Sequence, residues 1–422
     1  MAKHRKTSRR GEYRKRVRTT GRPASRAETS KARPPRAPIP GPEAFTGLED
    51  PSHVRSQAAT LLLIGTHMRG DVAAMDARAR EARGLMRVRS TGAAGGLPAN
   101  DMRALGFPRM HAGAARFLPA TLEKAAGVRF AARPGGAPTP SEARAVSSRL
   151  LGVAKAFYRD ANPETAGALL EVSLRHPHEL VRVAAATSYV EVAADPARAI
   201  RILGQGLRSR DRLARDVAAH ALAHVDPRNP ALEKLLASKT RPSRRKPSRT
   251  GMIVHGTWAG ASSWWQPPTG DFWKYLHDNV DPNLYGAQDR FEWSGGYSDA
   301  ARALGGHDLQ AWVQQHTLGG LDLFTHSHGG SVAMLANQAG TSIGRLVLLS
   351  CPVHWPKYAP DFTRVSKVVS IRVHVDLVIL ADRGGQRFRD NRIQEHVLPL
   401  WFDHFATHDP GTWEQFHVRS ML

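Results

Sequence analysis

One serine of this sequence has neighbours typical of an activated nucleophile. Ser327 lies in the run T-H-S-H-G-G at residues 325–330, after an apolar strand-like segment and before a helical one. A serine on a sharp strand-to-helix turn needs small neighbours, because the backbone is strained and the helix passes close to the strand. Gly329 and Gly330 provide that room, although Thr325 stands where such turns usually have glycine. The pattern predicts a nucleophilic Ser327, with the dipole of the following helix near the developing oxyanion.

A nucleophilic serine also needs a base that takes its proton and an acid that orients the base. Asp376 directly follows an apolar strand-like segment, and His408 lies on a late loop. Both residues follow Ser327 in the chain. We therefore predict a triad of Ser327, Asp376 and His408. Asp382 is the alternative acid and His404 the alternative base, since the spacing excludes neither.

The segments around these residues predict an α/β fold. Near-continuous apolar runs that alternate with helical segments are typical of a parallel sheet covered by helices on both faces. The strand-like runs are residues 251–257, 291–296, 321–324, 346–350 and 368–375, and the clearest helical segment is 298–316.

Residues 250–422 resemble the α/β-hydrolase fold, and within it the lipase- and esterase-like bacterial serine hydrolases. The resemblance is carried by H-G-T at 255–257 with two tryptophans after it, by F-E-W-S-G at 291–295, by the serine turn, and by the late Asp and His. It implies a minimal hydrolase domain with a mostly parallel sheet, and a triad in the chain order serine, acid, histidine. The implied reaction is cleavage of a carboxylic ester of a small molecule or lipid through an acyl-enzyme, with a thioester or amide as the alternative.

The resemblance also implies where the oxyanion and the acyl group would bind. It places one backbone N–H donor at Thr257 and the other at His328, directly after the nucleophile. Trp258, Trp264 and Trp265 are candidates for lining the substrate pocket, with core packing as the alternative. No set of Cys and His residues has the spacing of a metal site, so neither a metal nor a cofactor is predicted.

A helical region precedes the hydrolase-like part. Residues 141–238 predict five successive helices separated by Asp-Pro, Asn-Pro and His-Pro breaks. L-V-R-V-A-A-A at 180–186 aligns with L-A-R-D-V-A-A at 213–219, a spacing of 33, and both are followed by Asp-Pro. This resembles a HEAT-type repeat, and because short arrays are marginal alone we expect it to pack on a neighbour. It is a candidate protein-binding surface, with plain helical packing as the alternative.

The remaining segments complete the predicted organisation. Residues 1–50 are predicted to be a disordered basic tail, since residues 1–36 hold 14 Lys or Arg and two Glu of a chain with net charge +23. Such a tail attracts nucleic acid or an anionic surface, or is only solvated. Residues 51–140 are mixed and helical with no assigned function, and the basic stretch 239–249 is predicted to be a linker.

The composition predicts a cellular location, and the motifs leave two hypotheses for the function. The single cysteine excludes an internal disulfide, and no apolar run approaches the ~20 residues of a transmembrane helix, so a cytoplasmic location is predicted. The enzyme hypothesis is favoured by the intact serine, aspartate and histidine in the right order. The alternative is a catalytically inactive hydrolase-like adaptor that binds protein or nucleic acid through the helical region and the tail.

Overall fold

The apolar segments of the C-terminal half form a parallel sheet. A computed structural model of the chain describes residues 37–82, 99–110, 116–127, 140–236, 250–287, 289–318 and 320–422. In these residues five strands form one sheet in the order β1-β2-β3-β4-β5, and every neighbouring pair is parallel. The strands are β1 (Gly251–Val254), β2 (Leu321–His326), β3 (Ile343–Leu349), β4 (Val365–Arg372) and β5 (Ile393–Val397). The predicted mixed α/β fold with a parallel sheet is confirmed.

Helices cover the sheet and build the N-terminal half. The first nine in the described residues are α1 (Pro51–Ala82), α2 (Ala99–Ala104), α3 (Pro119–Ala126), α4 (Pro140–Asp160), α5 (Pro163–Ser173), α6 (Glu179–Val192), α7 (Ala197–Gly206), α8 (Arg212–Val225) and α9 (Pro230–Glu233). The sheet half adds α10 (Asp271–Asn279), α11 (Asp299–Gln315), α12 (Gly329–Gln338), α13 (Leu377–Ala381) and α14 (Pro410–Gln415). Among the helices described, none combines the length and the apolar character needed to cross a bilayer.

One predicted strand is not formed, and one observed strand has no predicted counterpart. The predicted strand at 291–296 is wrong, because this segment is irregular and serves as a packing loop. Its Trp293 is buried, and the indole N–H donates to the His255 carbonyl across a distance of 2.8 Å. Conversely, β5 was not predicted. It is an edge strand whose sequence I-Q-E-H-V is mostly polar, and its central residues are partly exposed.

The helical segments predicted at 141–225 form α4 to α8. Side chains of Asn162, His178 and Asp211 cap the starts of α5, α6 and α8 by accepting backbone N–H bonds. Capping of this kind satisfies donors that a helix leaves unpaired at its first turn. The interpretation of these helices as HEAT-like repeats stays a prediction. Residues 1–36 of the predicted tail and the predicted linker 239–249 lie outside the described residues, and within residues 37–50 a 3₁₀ helix spans Gly41–Thr46.

The helical half meets the sheet half at α13. Leu377, Val378 and Leu380 of this short helix are at most 5% exposed and belong to the same apolar cluster as the cores of α1, α5, α6 and α8. Arg383, just after α13, forms an ion pair with Glu191 of α6. The expected packing of the helical region on a neighbour is therefore seen within this chain, and α13 is the helix that follows Asp376.

Candidate active site

Ser327 lies on a strained turn between β2 and α12. Its φ is +53°, in the left-handed region that residues other than glycine rarely adopt. The backbone N–H of Ser327 donates to the Leu349 carbonyl at 2.9 Å, and the N–H of Gly330 donates to the Ser327 carbonyl at 3.0 Å. The first bond fixes the turn to the neighbouring strand, and the second closes the turn before the helix. Strain of this kind is typical of positions where the fold holds a functional side chain.

The two glycines after the serine are required by close contacts. A Cβ at Gly329 would lie 2.3 Å from the carbonyl oxygen of Val254 and 2.7 Å from that of His255. A Cβ at Gly330 would lie 2.5 Å from the sulfur of Cys351. Because α12 passes this close to the end of β1, it can begin directly after the nucleophile. The prediction from sequence that small residues make room for the helix is confirmed.

Thr325 is accommodated inside the sheet. The residue is fully buried, and its hydroxyl donates to the Val347 carbonyl of β3 at 2.9 Å. A buried hydroxyl without a partner would be costly, so this bond explains how threonine fits in a position that usually holds glycine. The positive φ of Ser327 shows that the strained turn forms with threonine present.

Asp376 is paired with His404, the alternative base of the sequence analysis. One carboxylate oxygen of Asp376 accepts the backbone N–H groups of Val378 and Ile379 at 3.0 and 3.1 Å, which caps α13. The other oxygen lies 2.7 Å from Nδ1 of His404. Because a carboxylate oxygen accepts, the Nδ1–H of His404 is the donor in this bond. This is the relation of acid to base in a catalytic triad.

His326 holds His404 beside the nucleophile turn. The Nε2–H of His326, the residue directly before Ser327, donates to the backbone carbonyl of His404 at 3.1 Å. The centroids of the two imidazole rings are 4.6 Å apart. Burial, followed by the nearby His408 and His404, keeps the pKa of His326 well below its ordinary value, so this ring is neutral. His326 is thus a structural link between the turn and the loop that carries His404.

The structure does not bring His408 to the Asp376 carboxylate. His408 is 5% exposed, and its Nδ1 has no hydrogen-bond partner among the described residues. Its ring lies 4.0 Å from the ring of Trp264 and 4.3 Å from that of His326. Burial, and secondarily the charge of Arg212, hold the pKa of His408 well below its ordinary value. His408 is therefore a neutral packing residue in this geometry.

The alternative acid Asp382 belongs to a separate buried cluster. Its carboxylate lies 2.8 Å from Nε2 of His328 and 2.8 Å from Nε2 of His354, and it accepts the hydroxyl of Tyr297 at 2.7 Å. Burial alone would raise the pKa of Asp382, but His328 and the hydrogen bonds from both histidines outweigh burial and hold the pKa well below its usual range. Asp382 is accordingly an ionised carboxylate remote from His404 in the bonding network.

The predicted oxyanion donors lie on segments that touch the nucleophile turn. A Cβ at Gly256 would be 2.9 Å from the Cβ of Ser327, so the residues before Thr257 lie directly against the serine. His328 occupies the N-cap of α12, where backbone N–H groups are left without helical partners. The hydroxyl of Thr257 is buried and has no hydrogen-bond partner within the described part of the chain.

The three tryptophans predicted for the pocket have different surroundings. Trp265 is 1% exposed and donates its indole N–H to the Ala259 carbonyl, so it is a core residue. Trp264 packs against His408 and His326. Trp258 stacks on Tyr297 with ring centroids 5.7 Å apart, and both rings line a cavity of about 600 Å³.

This cavity lies between the two halves of the chain, and its presence was not predicted from the sequence. Its helical wall comes from α8 and the segment after it, and its other wall from the sheet half. The lining includes Ala223, His224, Leu232, Leu236, Trp258, Tyr297, Arg302, His354, Lys357 and Tyr358. Arg302 is held by Asp299 at 2.7 Å and by the Tyr358 hydroxyl at 3.0 Å. A volume of this size is in the range of small-molecule sites.

Comparison with known proteins gives little further guidance. The sequence matches no protein-family model and no curated protein. Among solved structures, the fold is similar to that of Aspergillus fumigatus lipase B, with a TM-score of 0.27 and 11% sequence identity. The likeness covers 66% of this chain and 77% of the lipase chain. A TM-score this low does not identify a family or an activity, so the residues of the site themselves carry the case for a function.

Proposed function

We propose that this protein is a serine hydrolase that cleaves a carboxylic ester or a related acyl bond through Ser327, His404 and Asp376. The observation that carries the proposal is the bond between Nδ1 of His404 and the Asp376 carboxylate at 2.7 Å, on a loop tied to the residue before Ser327. A serine hydroxyl is activated by a base that an acid orients, and here a buried aspartate orients a histidine whose carbonyl is bonded to the residue before a strained serine.

The reaction follows from these roles. Nε2 of His404 takes the hydroxyl proton of Ser327 as the serine oxygen attacks the substrate carbonyl carbon. Asp376 keeps the proton on Nδ1 and stabilises the imidazolium that forms. His404 then protonates the departing alcohol, which leaves an acyl group on Ser327. Water attacks this ester with the same histidine as base. The histidine then gives the proton to the Ser327 oxygen as the carboxylic acid departs, which regenerates the free serine.

The proposed oxyanion donors are the backbone N–H groups of Thr257 and His328. The first is supported by the contact of Gly256 with the Cβ of Ser327, and the second by the position of His328 at the start of α12. Donors fixed before the reaction stabilise the charge of the tetrahedral intermediate without reorganising, and losing one typically costs about 10²- to 10³-fold in rate. Both donors belong to the backbone, so side-chain substitutions at these residues would leave them present.

Labelling with a fluorophosphonate probe tests the proposal, because the probe reacts only with an activated serine. We expect the wild-type protein to be labelled, Ser327→Ala not at all, and His404→Ala at least 10³-fold more slowly. His408→Ala is the matched control, since it removes a buried histidine from the same loop without touching Asp376. Labelling lost in His408→Ala and kept in His404→Ala would refute the assignment of the base. A folded wild-type protein that is not labelled would refute the triad and favour the adaptor hypothesis.

A further inference from the structure

A second polar cluster includes the side chain of His328, one residue after the proposed nucleophile, and the side chains of this cluster have no role in the proposed hydrolysis. Its centre is Asp382, 1% exposed, which is bonded to His328, His354 and Tyr297 as described above. His224 adds a contact of 2.9 Å from its Nε2 to the backbone carbonyl of Asp382. The carboxylate thus contacts two imidazoles and one phenol, and a third imidazole contacts the backbone carbonyl of the same residue.

His220 of α8 brings a further imidazole to the cluster. Its Nδ1 donates to the backbone carbonyl of Asp216 at 2.8 Å, so the proton is on Nδ1 and Nε2 has a free lone pair. The residue is 4% exposed, and its Nε2 has no hydrogen-bond partner among the residues described. The ring stacks on that of His328 with centroids 6.0 Å apart and planes at 22°. A buried acceptor without a partner requires an explanation, and a bound ion is one of the common ones.

We propose that His220, His328 and Asp382 bind a divalent transition metal ion, for which zinc is the best match. One ligand atom from each of the three residues lies within 4.8 Å of the other two. Two imidazole nitrogens and one carboxylate oxygen are ligands that zinc accepts, and three protein ligands leave a coordination position open to water.

The surrounding contacts suit this ligand set. The Nδ1–H of His220 donates to a backbone carbonyl, and Nδ1 of His328 lies 3.5 Å from the hydroxyl of Ser331. Such outer contacts orient histidine ligands so that Nε2 faces the metal. To bind, His328 moves its proton from Nε2 to Nδ1, which leaves the ring neutral. Its Nε2 is 2.8 Å from the Asp382 carboxylate and would need to separate to about 3.4 Å around a tetrahedral zinc with ~2.1 Å bonds.

Arg302 favours transition metals over magnesium and calcium at this site. Its guanidinium lies 3.4 Å from Nε2 of His328 and would repel a cation, although Asp299 balances part of the charge. Magnesium and calcium bind mainly through charge and prefer oxygen ligands, so this environment disfavours them. A transition metal gains from the two imidazole nitrogens, and we therefore expect zinc to bind and magnesium not to bind.

The ligands come from both halves of the chain, so a bound ion would connect the two. His220 is on α8, whereas His328 caps α12 and Asp382 ends α13. A bound ion would join the helical half to the nucleophile turn and to the helix that follows Asp376. A metal that binds the folded but not the unfolded chain raises the free energy of unfolding in proportion to the logarithm of the metal concentration.

The test uses the full chain without an affinity tag, stripped with a chelator and titrated calorimetrically with zinc chloride. We expect one equivalent to bind, the Tm to rise with zinc and not with magnesium, and cobalt(II) to give visible absorption bands. Two single variants test the ligands. His220→Phe keeps a ring in the same packing, and Asp382→Asn removes the charge of the carboxylate. Each should weaken zinc binding at least tenfold. His176→Gln is the control, because His176 is also buried with an unpartnered Nε2 but belongs to no metal-ligand group among the described residues.

The outcomes separate this inference from the proposed hydrolase. Ser327→Ala should bind zinc like the wild type, so loss of serine labelling alone leaves the metal site intact. Wild-type protein that binds no zinc would overturn the proposal, as would His220→Phe binding as tightly as wild type or His176→Gln losing binding equally. Far-UV circular dichroism establishes that each variant is folded. If His220→Phe does not fold, the comparison of zinc with magnesium on the wild-type Tm decides the question.

Discussion

Replacing Thr325 with glycine would restore the usual residue of a nucleophile turn, yet we expect it to destabilise the protein. Thr325 is fully buried, and its hydroxyl bonds to the Val347 carbonyl. Loss of the bond costs about 1 kcal/mol, and loss of the buried methyl group about 1 kcal/mol. Glycine within a strand costs a further ~1 kcal/mol through backbone entropy. The free energy of unfolding should fall by about 3 kcal/mol.

Two matched variants separate these contributions. Thr325→Ser keeps the hydroxyl and loses the methyl group, and Thr325→Val keeps the branched shape and loses the hydroxyl. Each should cost about 1 kcal/mol, so glycine should be clearly the worst of the three. Urea unfolding at neutral pH, followed by circular dichroism, gives the three differences, provided that the dependence on urea is the same in all variants.

Serine labelling in the same variants tests whether Thr325 limits the turn. The φ of Ser327 is fixed by its bond to the Leu349 carbonyl and by the close approach of α12, and neither contact involves the Thr325 side chain. We therefore expect labelling rates within about threefold of wild type, which corresponds to about 0.65 kcal/mol in the activation free energy. A glycine variant as stable as wild type, or one labelled tenfold faster, would refute this account of Thr325.

Three further predictions concern the turn, the acid and the response to pH. Gly329→Ala places a Cβ against the carbonyl oxygens of Val254 and His255, which are backbone atoms and cannot rotate away. The free energy of unfolding, measured with urea, should therefore fall by at least about 3 kcal/mol, and serine labelling should be abolished. Asp376→Asn should lower the labelling rate by about 10⁴-fold while its side chain still caps α13, and an unchanged rate would contradict the pairing in the site. Burial lowers the pKa of His176 to about 3, so only the unfolded chain takes up this proton as the pH falls from about 6.5 towards 3, and stability is lost across that window. In urea unfolding as a function of pH, His176→Gln should reduce the slope in this window by about 1.4 kcal/mol per pH unit, and an unchanged slope would show that this histidine is not responsible.

The elements of the site could be predicted wherever local pattern decided the structure. The nucleophile turn, the parallel sheet and helices α4 to α8 follow from apolar runs, Gly pairs and Pro breaks, which act over a few residues. The strand prediction for residues 291–296 was wrong because it also relied on local pattern. Its aromatic residues satisfy a strand pattern, but Trp293 is buried by packing against the end of β1 and not by pairing in the sheet.

The choice between two histidines could not be made from sequence. His404 and His408 lie on the same late loop, both are buried, and both follow the acid in chain order. What distinguishes them is a 2.7 Å contact with Asp376 and a bond from His326, which depend on how the loop folds back on the sheet. The metal-ligand group was hidden for a similar reason, because His328 and Asp382 are 54 residues apart and no short spacing marks them.

The position of α13 gives the helical half a direct bearing on the proposed chemistry. Asp376 orients His404 through one carboxylate oxygen and caps α13 through the other, so any shift of this helix moves the acid. The buried face of α13 packs into the helical core, and burial of each of its large apolar side chains is worth about 1.5–3 kcal/mol. The helical half therefore contributes to the position of the acid as well as to stability.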